Sequence, residues 1–141
     1  HEIKSFSIRD GLGLRVWMRL GGEVAIITGR QSLALRHRCA ELGIRHIFQA
    51  VGEKRAAFGD LLRTLDVAAS HTAVMGDDLP DLPMLRLAGY PIAVADAVPE
   101  VRETAAFVTT ARGGHGAVRE AAEHLLKAQG RWEDALALFD A

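Results

Sequence analysis

The feature that most restricts this chain is a repeated alternation: short apolar runs, each followed by a stretch with apolar residues at helical spacing. Val24-Ala25-Ile26-Ile27 is apolar without a break, as in a strand covered on both faces, and it stops at Thr28-Gly29-Arg30. From Ser32, the positions Leu35, Cys39 and Leu42 form a helical stripe closed by Gly43. The pattern then repeats with a strand over 46–50, a helix over 54–65 and a strand over 72–75. A short helix running to Ala88, a strand over 92–95, a helix from Val98 and a last strand over 107–109 complete it. Residues 111–116 read as a glycine-rich loop, 117–128 as a helix with Leu125 and Leu126 inward, and the tail from Trp132 as helical. At the front, Phe6 and Ile8 share one face of an extended segment over 2–8, which predicts a strand. Arg9-Asp10-Gly11 then reads as a turn, with Asp10 capping a short helix carrying Leu12, Val16 and Leu20. Strands alternating with helices through short loops form parallel βαβ units with right-handed crossovers. The expected class is therefore α/β, with a doubly wound parallel sheet and a single domain over 1–141.

Charge and cysteine use narrow the partners. Seventeen basic and eighteen acidic residues leave a net charge of −1, so no net field draws the chain to nucleic acid or to an anionic membrane. The single cysteine, Cys39, has no partner for an internal disulfide, which fits a reducing compartment. The longest apolar runs fall far short of the roughly 20 residues that span a bilayer. A cytoplasmic protein acting on a small molecule is the expectation.

In doubly wound folds ligands bind beyond the carboxyl ends of the strands. Three sets of residues lie there. Thr28-Gly29-Arg30 offers a hydroxyl, a close-approach backbone and a guanidinium where a strand meets a helix, which suits an oxyanion. The alternative is an ordinary strand-to-helix turn. Gly76-Asp77-Asp78 with Asp81 puts three carboxylates at the end of an apolar strand, and a hard cation such as magnesium would relieve their repulsion. Helix capping by Asp77 or Asp78 ahead of Leu79-Pro80 is the competing account, sufficient for one carboxylate rather than three. Lys54 opens a helix, where a cation opposes the dipole and invites a compensating phosphate or carboxylate; a solvated lysine is the plain alternative.

Taken in order, apolar strand then Thr-Gly-Arg, a lysine at a later helix start, and Gly-Asp-Asp-x-x-Asp after another apolar strand resemble the haloacid dehalogenase superfamily. Within it, Ser7-Ile8-Arg9-Asp10-Gly11, Ala25-Ile26-Ile27-Thr28-Gly29-Arg30, Arg38-Cys39-Ala40-Glu41-Leu42-Gly43-Ile44, Val94-Ala95-Asp96-Ala97 and Gly116-Ala117-Val118-Arg119-Glu120 resemble the 3-deoxy-D-manno-octulosonate 8-phosphate phosphatase family. The resemblance runs to about Gly130. It implies attack on phosphorus by an aspartate, an aspartyl-phosphate hydrolysed by water, and magnesium (Mg2+) screening the charge. It also implies that Thr28 holds phosphoryl oxygens, Lys54 neutralises phosphate and nucleophile, Asp77 binds magnesium, and Asp78 and Asp81 support it. The positions that match the grip on the sugar acid are Ser7, Ile8, Arg9, Asp10, Gly11, Arg15, Gly29, Arg30, Arg38 and Lys54. For Arg15 and Arg38 a solvated helix face is the alternative. No large cap domain is implied, and a homotetramer is.

The superfamily's nucleophile sits in an Asp-x-Asp motif ending the first core strand, and this sequence contains no such motif. The strand expected between those carrying Thr28 and Asp77 is missing with it. Two interior strands with open edges are costly, because each buried unpaired backbone group costs about 1–3 kcal/mol. An upstream piece of roughly 30–40 residues, one hairpin arm and one core strand by usual lengths, is therefore expected to precede this sequence. A second departure is His115, where the family has arginine in a tail that reaches a neighbouring subunit's site; a loop histidine without a role is the alternative. Two further functions remain open: a catalytically silent oligomerisation or binding module, of the kind attached to sugar-nucleotide cytidylyltransferases, and an unrelated nucleotide-binding domain. Against the latter, no Gly-rich phosphate loop follows any strand.

Overall fold

The structure, a computed structural model, describes residues 8–140, with side chains from Asp10 onward. The strand expected over 2–8 lies outside the described residues except for Ile8, which begins a helix. Helix α1 (Ile8–Arg19) thus takes in Arg9-Asp10-Gly11, read from sequence as a turn. Long-range contact overrides the local turn tendency of Asp and Gly. Asp10 accepts from the backbone N–H groups of Arg119 at 3.0 Å and Gly116 at 3.4 Å, so it caps a helix more than a hundred residues away. Gly13 lets the two helices touch, since a Cβ there would lie 3.0 Å from the Arg119 Cα.

Strand β1 (Ala25–Ile27) is followed by α2 (Leu33–Leu42), which Ser32 caps through the Leu35 N–H at 3.1 Å and Gly43 ends at φ 82°. Strand β2 (His46–Phe48) pairs with β1 in parallel, Ile26 opposite Ile47. It stops short of the expected residue 50, because Ala50 adopts the left-handed region at φ 53°. Helix α3 (Lys54–Leu65) starts and stops where the periodicity places it. A second parallel sheet follows: β3 (Ala73–Gly76), β4 (Tyr90–Ala93) and β5 (Phe107–Val108), in that spatial order. Helices α4 (Leu82–Leu87) and α5 (Pro99–Thr104) connect these strands, each with proline in its first turn, where the missing N–H costs nothing. Helix α6 (Ala117–Ala128) lies along α1, and α7 (Trp132–Ala137) closes the chain.

The architecture is α/β, built of parallel strands and helices. Among the described residues the sheet is interrupted: β1 and β2 form one ladder and β3, β4 and β5 another. One core cluster, Leu85, Ala93, Val94, Ala97, Val101 and Ala117, fills the three-stranded half. A second, Val16, Leu126 and Ala135 with Trp17 and Trp132 against it, seals the α1–α6–α7 seam. Leu126 is buried as expected, whereas Leu125 is only half-buried. Among the described residues no helix is long and apolar enough to cross a membrane.

Candidate active site at the strand ends

Parallel strands bring their carboxyl ends to one side of each ladder, and backbone and side-chain hydrogen bonds organise the residues there. Thr28, just past β1, is fixed by its own backbone: its N–H donates to the Phe48 carbonyl at 2.9 Å and its carbonyl accepts from the Val51 N–H at 3.0 Å. Its Oγ1 accepts from the Arg30 N–H at 3.2 Å, which leaves the hydroxyl proton to be given elsewhere. The 48–51 segment tethered in this way leads into α3 and so to Lys54. The Lys54 ammonium donates to Asp81 at 2.6 Å, with both side chains largely withdrawn from water. The anion that a lysine at a helix start invites is thus Asp81.

Asp81 is the hub. Its other oxygen accepts from the Asp77 N–H at 2.9 Å and the Asp78 N–H at 3.2 Å, curling the end of β3 around it. That curl needs Gly76: a Cβ there would lie 2.7 Å from the Asp81 Cβ. Asp78 accepts from the Leu79 N–H at 2.8 Å and forms a capping box with Asp81 over a single 3₁₀ turn, Leu79–Asp81. Capping therefore occupies two of the three carboxylates, one more than the sequence suggested. Burial works against charge on Asp81, but the Lys54 ammonium and the two N–H groups together outweigh it and hold its pKa below the ordinary carboxylate value.

Asp77 is left facing solvent. Burial by its surroundings, contact with Asp81 and the charges of Asp81 and Asp78 push its pKa up, and the Lys54 charge offsets part of this. An added cation would relieve that crowding. Among the described residues no group of three or more His, Cys, Asp and Glu is arranged to hold a metal ion. Magnesium is nonetheless compatible with Asp77, because it is commonly held by one or two carboxylates together with waters and phosphate oxygens.

The remaining candidates divide. Gly29 packs toward the Val51 carbonyl, 3.5 Å from where a Cβ would sit, and Arg30 is exposed beside it. Arg38 lies against Gly11, where a Cβ would meet its guanidinium, and its Nη1 is 3.7 Å from Glu41. Asp10 holds the start of α6, and Arg15 is exposed on α1. Ser7 and the side chains of Ile8 and Arg9 lie outside the described set. Direct contacts thus join Lys54, Asp77, Asp78 and Asp81, Thr28 is tied to the 48–51 segment that precedes Lys54, and Gly11 meets Arg38 as a separate group at the α1–α2 junction.

Sequence reasoning missed the loops that wall this site. The Val98 N–H donates to the Asp77 carbonyl at 3.0 Å, and Ala95 is tied to Thr109 and Ala111 on the next loop. Glu120 then gathers Thr110 and Ala111. A glutamate in the first turn of a helix was the visible signal, but its partners lie across an irregular loop.

Residues 43–120 match the family model for haloacid dehalogenase-like hydrolases. Over 134 residues the chain is 46% identical to 3-deoxy-D-manno-octulosonate 8-phosphate phosphatase KdsC of Escherichia coli (strain K12), covering 95% of this chain and 71% of that protein. The phosphatase of the same name from Moraxella catarrhalis, solved in complex with magnesium ion, phosphate ion and a KDO molecule, superposes with a TM-score of 0.95 at 43% identity. That match covers 99% of this chain and 80% of the other. The cobalt-bound deoxy-D-mannose-octulosonate 8-phosphate phosphatase of Haemophilus influenzae gives 0.91 at 41%, covering 99% and 80%. With the parallel sheets and the lysine–aspartate cluster at their carboxyl ends, these likenesses make the chain a member of the haloacid dehalogenase-like hydrolases and, among them, of the magnesium-dependent 3-deoxy-D-manno-octulosonate 8-phosphate phosphatase family.

Proposed function

We propose that the protein hydrolyses 3-deoxy-D-manno-octulosonate 8-phosphate to the free sugar acid and phosphate. The observation that carries this is the Lys54–Asp81 contact of 2.6 Å, which fixes an ammonium beside Asp77 at the carboxyl ends of the strands. Lys54 and the Thr28 hydroxyl bind and orient the phosphoryl oxygens, and charge building there in the transition state is met by donors already in place. Asp81 keeps Lys54 aimed, and Asp78 holds the turn. Asp77 would hold magnesium, which when bound supplies charge neutralisation at the phosphoryl group.

The attacking carboxylate comes, on this proposal, from an upstream Asp-x-Asp strand seated between β1 and β3 in the same domain. Its oxygen forms a bond to phosphorus as the bond to the sugar oxygen breaks, and the sugar alkoxide takes a proton from the second aspartate. Water, giving a proton back to that aspartate, then attacks phosphorus, releasing phosphate and restoring the carboxylate. Arg15, Arg30 and Arg38, with 7–11, are proposed for the substrate's carboxylate and hydroxyls, since a guanidinium matches a carboxylate in two-point geometry. A homotetramer in the cytoplasm is the proposed working form.

Phosphate release from the sugar-acid phosphate, with and without Mg2+, is the test. Expected is turnover abolished by chelator, together with codons upstream of His1 that encode an apolar strand ending in Asp-x-Asp. The absence of Asp-x-Asp from this sequence favours one other function, a silent binding or oligomerisation module. No turnover by the protein carrying its whole coding sequence, at any Mg2+ concentration, would establish that module instead.

A further inference from the structure

Hydrogen bonds, with the backbone of residues 95–98 as one link, connect α6 to the carbonyl of Asp77. Glu120 accepts from the Thr110 N–H at 2.8 Å, the Thr110 hydroxyl at 2.9 Å and the Ala111 N–H at 2.9 Å. The Ala111 carbonyl in turn accepts from the Ala95 N–H at 3.3 Å and from the Thr109 hydroxyl at 2.6 Å. Thr109 is buried, and its Oγ1 also receives the Ala95 N–H at 3.1 Å. Asp96 bridges the same two loops by accepting from the Gly113 N–H at 2.9 Å. Three residues past Ala95, the Val98 N–H closes on the Asp77 carbonyl at 3.0 Å.

From this geometry we infer that Glu120 is a positioning residue: by fixing residues 110–113 it fixes 95–98, and through Val98 it sets where the Asp77 carboxylate stands. The inference rests on the function proposed above only for Asp77's task. Two features favour it. Strand β5 is two residues long, so the loop that follows it is held by these side-chain and loop-to-loop bonds rather than by a ladder. Burial disfavours charge on Glu120, yet the Ala111 and Thr110 donors outweigh this and keep its pKa below the ordinary value, so the anchor is an ionised carboxylate at neutral pH.

Three variants of the full protein test it. Glu120→Ala removes the acceptor, Glu120→Gln keeps one acceptor oxygen, and Glu123→Ala removes an ordinary ion pair, Glu123 to Arg119 at 2.8 Å, from the same helix. Three readouts apply: calorimetric titration with Mg2+ alone, amide hydrogen exchange by mass spectrometry, and kcat. Glu120→Ala is expected to weaken Mg2+ binding about tenfold, in the range found when partners behind a metal ligand are removed. Exchange should rise in 95–98 as well as in 110–113, while kcat recovers at saturating Mg2+. Glu120→Gln should lie within about threefold of the parent by the same scale, and Glu123→Ala at parent values. Faster exchange confined to 110–113, or spread evenly over all of β3, β4 and β5, would overturn the inference. If the parent protein takes up no Mg2+, the phosphatase proposal fails, and the exchange pattern at 95–98 still decides the relay.

Discussion

The two halves of the sheet are built differently. In the three-stranded half, Ile92, Ala93 and Val94 are at most 5% exposed, with Leu85 and Val101 packed over the strands. In the two-stranded half, all six residues of β1 and β2 are only half-buried. The polar groups at the strand ends span both ladders: Thr28 follows β1, Asp77 follows β3, and Lys54–Asp81 ties α3 to the end of β3. Among the described residues the densest apolar packing lies around β4, and Lys54–Asp81 is a polar tie between the two ladders.

Cutting the tie tests this most severely. Lys54→Met leaves Asp81 withdrawn from water without its ammonium, and activity is expected to fall by a factor on the order of 10²–10³, as when a fixed donor to a developing charge is lost. Stability should fall by about 3 kcal/mol, the cost of breaking one partner from a buried pair. The deficit has a predictable pH profile. Asp81's pKa is depressed in the folded state, so its stabilisation is present above its unfolded value near about 4 and is lost as pH falls through the folded one. Asp77's raised pKa has the opposite sign, destabilising as pH climbs from the unfolded value toward the raised folded one, and losing Lys54 worsens this. The gap between parent and variant in urea unfolding should therefore widen from acid toward neutral pH.

Next in size is a paired truncation. Leu85→Ala beside β4 should cost about 3 kcal/mol, and Ile26→Ala in β1 about 2 kcal/mol, since the cavity penalty scales with how completely the site is enclosed. Equal costs in denaturant titrations would erase the contrast between the halves. Asp10→Ala removes the acceptor that serves the first turn of α6, and about 1 kcal/mol should disappear from thermal unfolding, as for other capping losses. The smallest effect belongs to the open half. Ala50→Gly relieves a left-handed residue at φ 53°, and after the entropy of glycine is subtracted, a gain of about 0.5 kcal/mol is expected.

Legibility followed locality. Helices α3 and α6 could be bounded from sequence because their periodic stripes are flanked by residues that start or stop helices, and both span the expected residues. The front of the chain misled, since Arg9-Asp10-Gly11 carries turn chemistry whose real use, an acceptor and a close approach for α6, is invisible until α6 is in place. At the strand ends, the acidic trio and the lone lysine were conspicuous because charge after an apolar strand needs a reason. Their division of labour was not, because which carboxylate takes Lys54 and which stays open depends on the curl over Gly76. Glu120 was hidden for a similar reason, its partners being backbone N–H groups of a loop that no repeat pattern fixes.

The bond from Asp10 to the amide of Arg119 joins positions 109 apart in sequence. Closing so wide a loop carries an entropic cost that grows with the logarithm of its length, and contacts of this kind slow folding. On the ribosome, α1 waits, with one flank uncovered, until α6 has left the exit tunnel. A chaperone that shields that flank, or an arrest that delays the last helices, would govern the yield of native protein without touching a single residue of the active site.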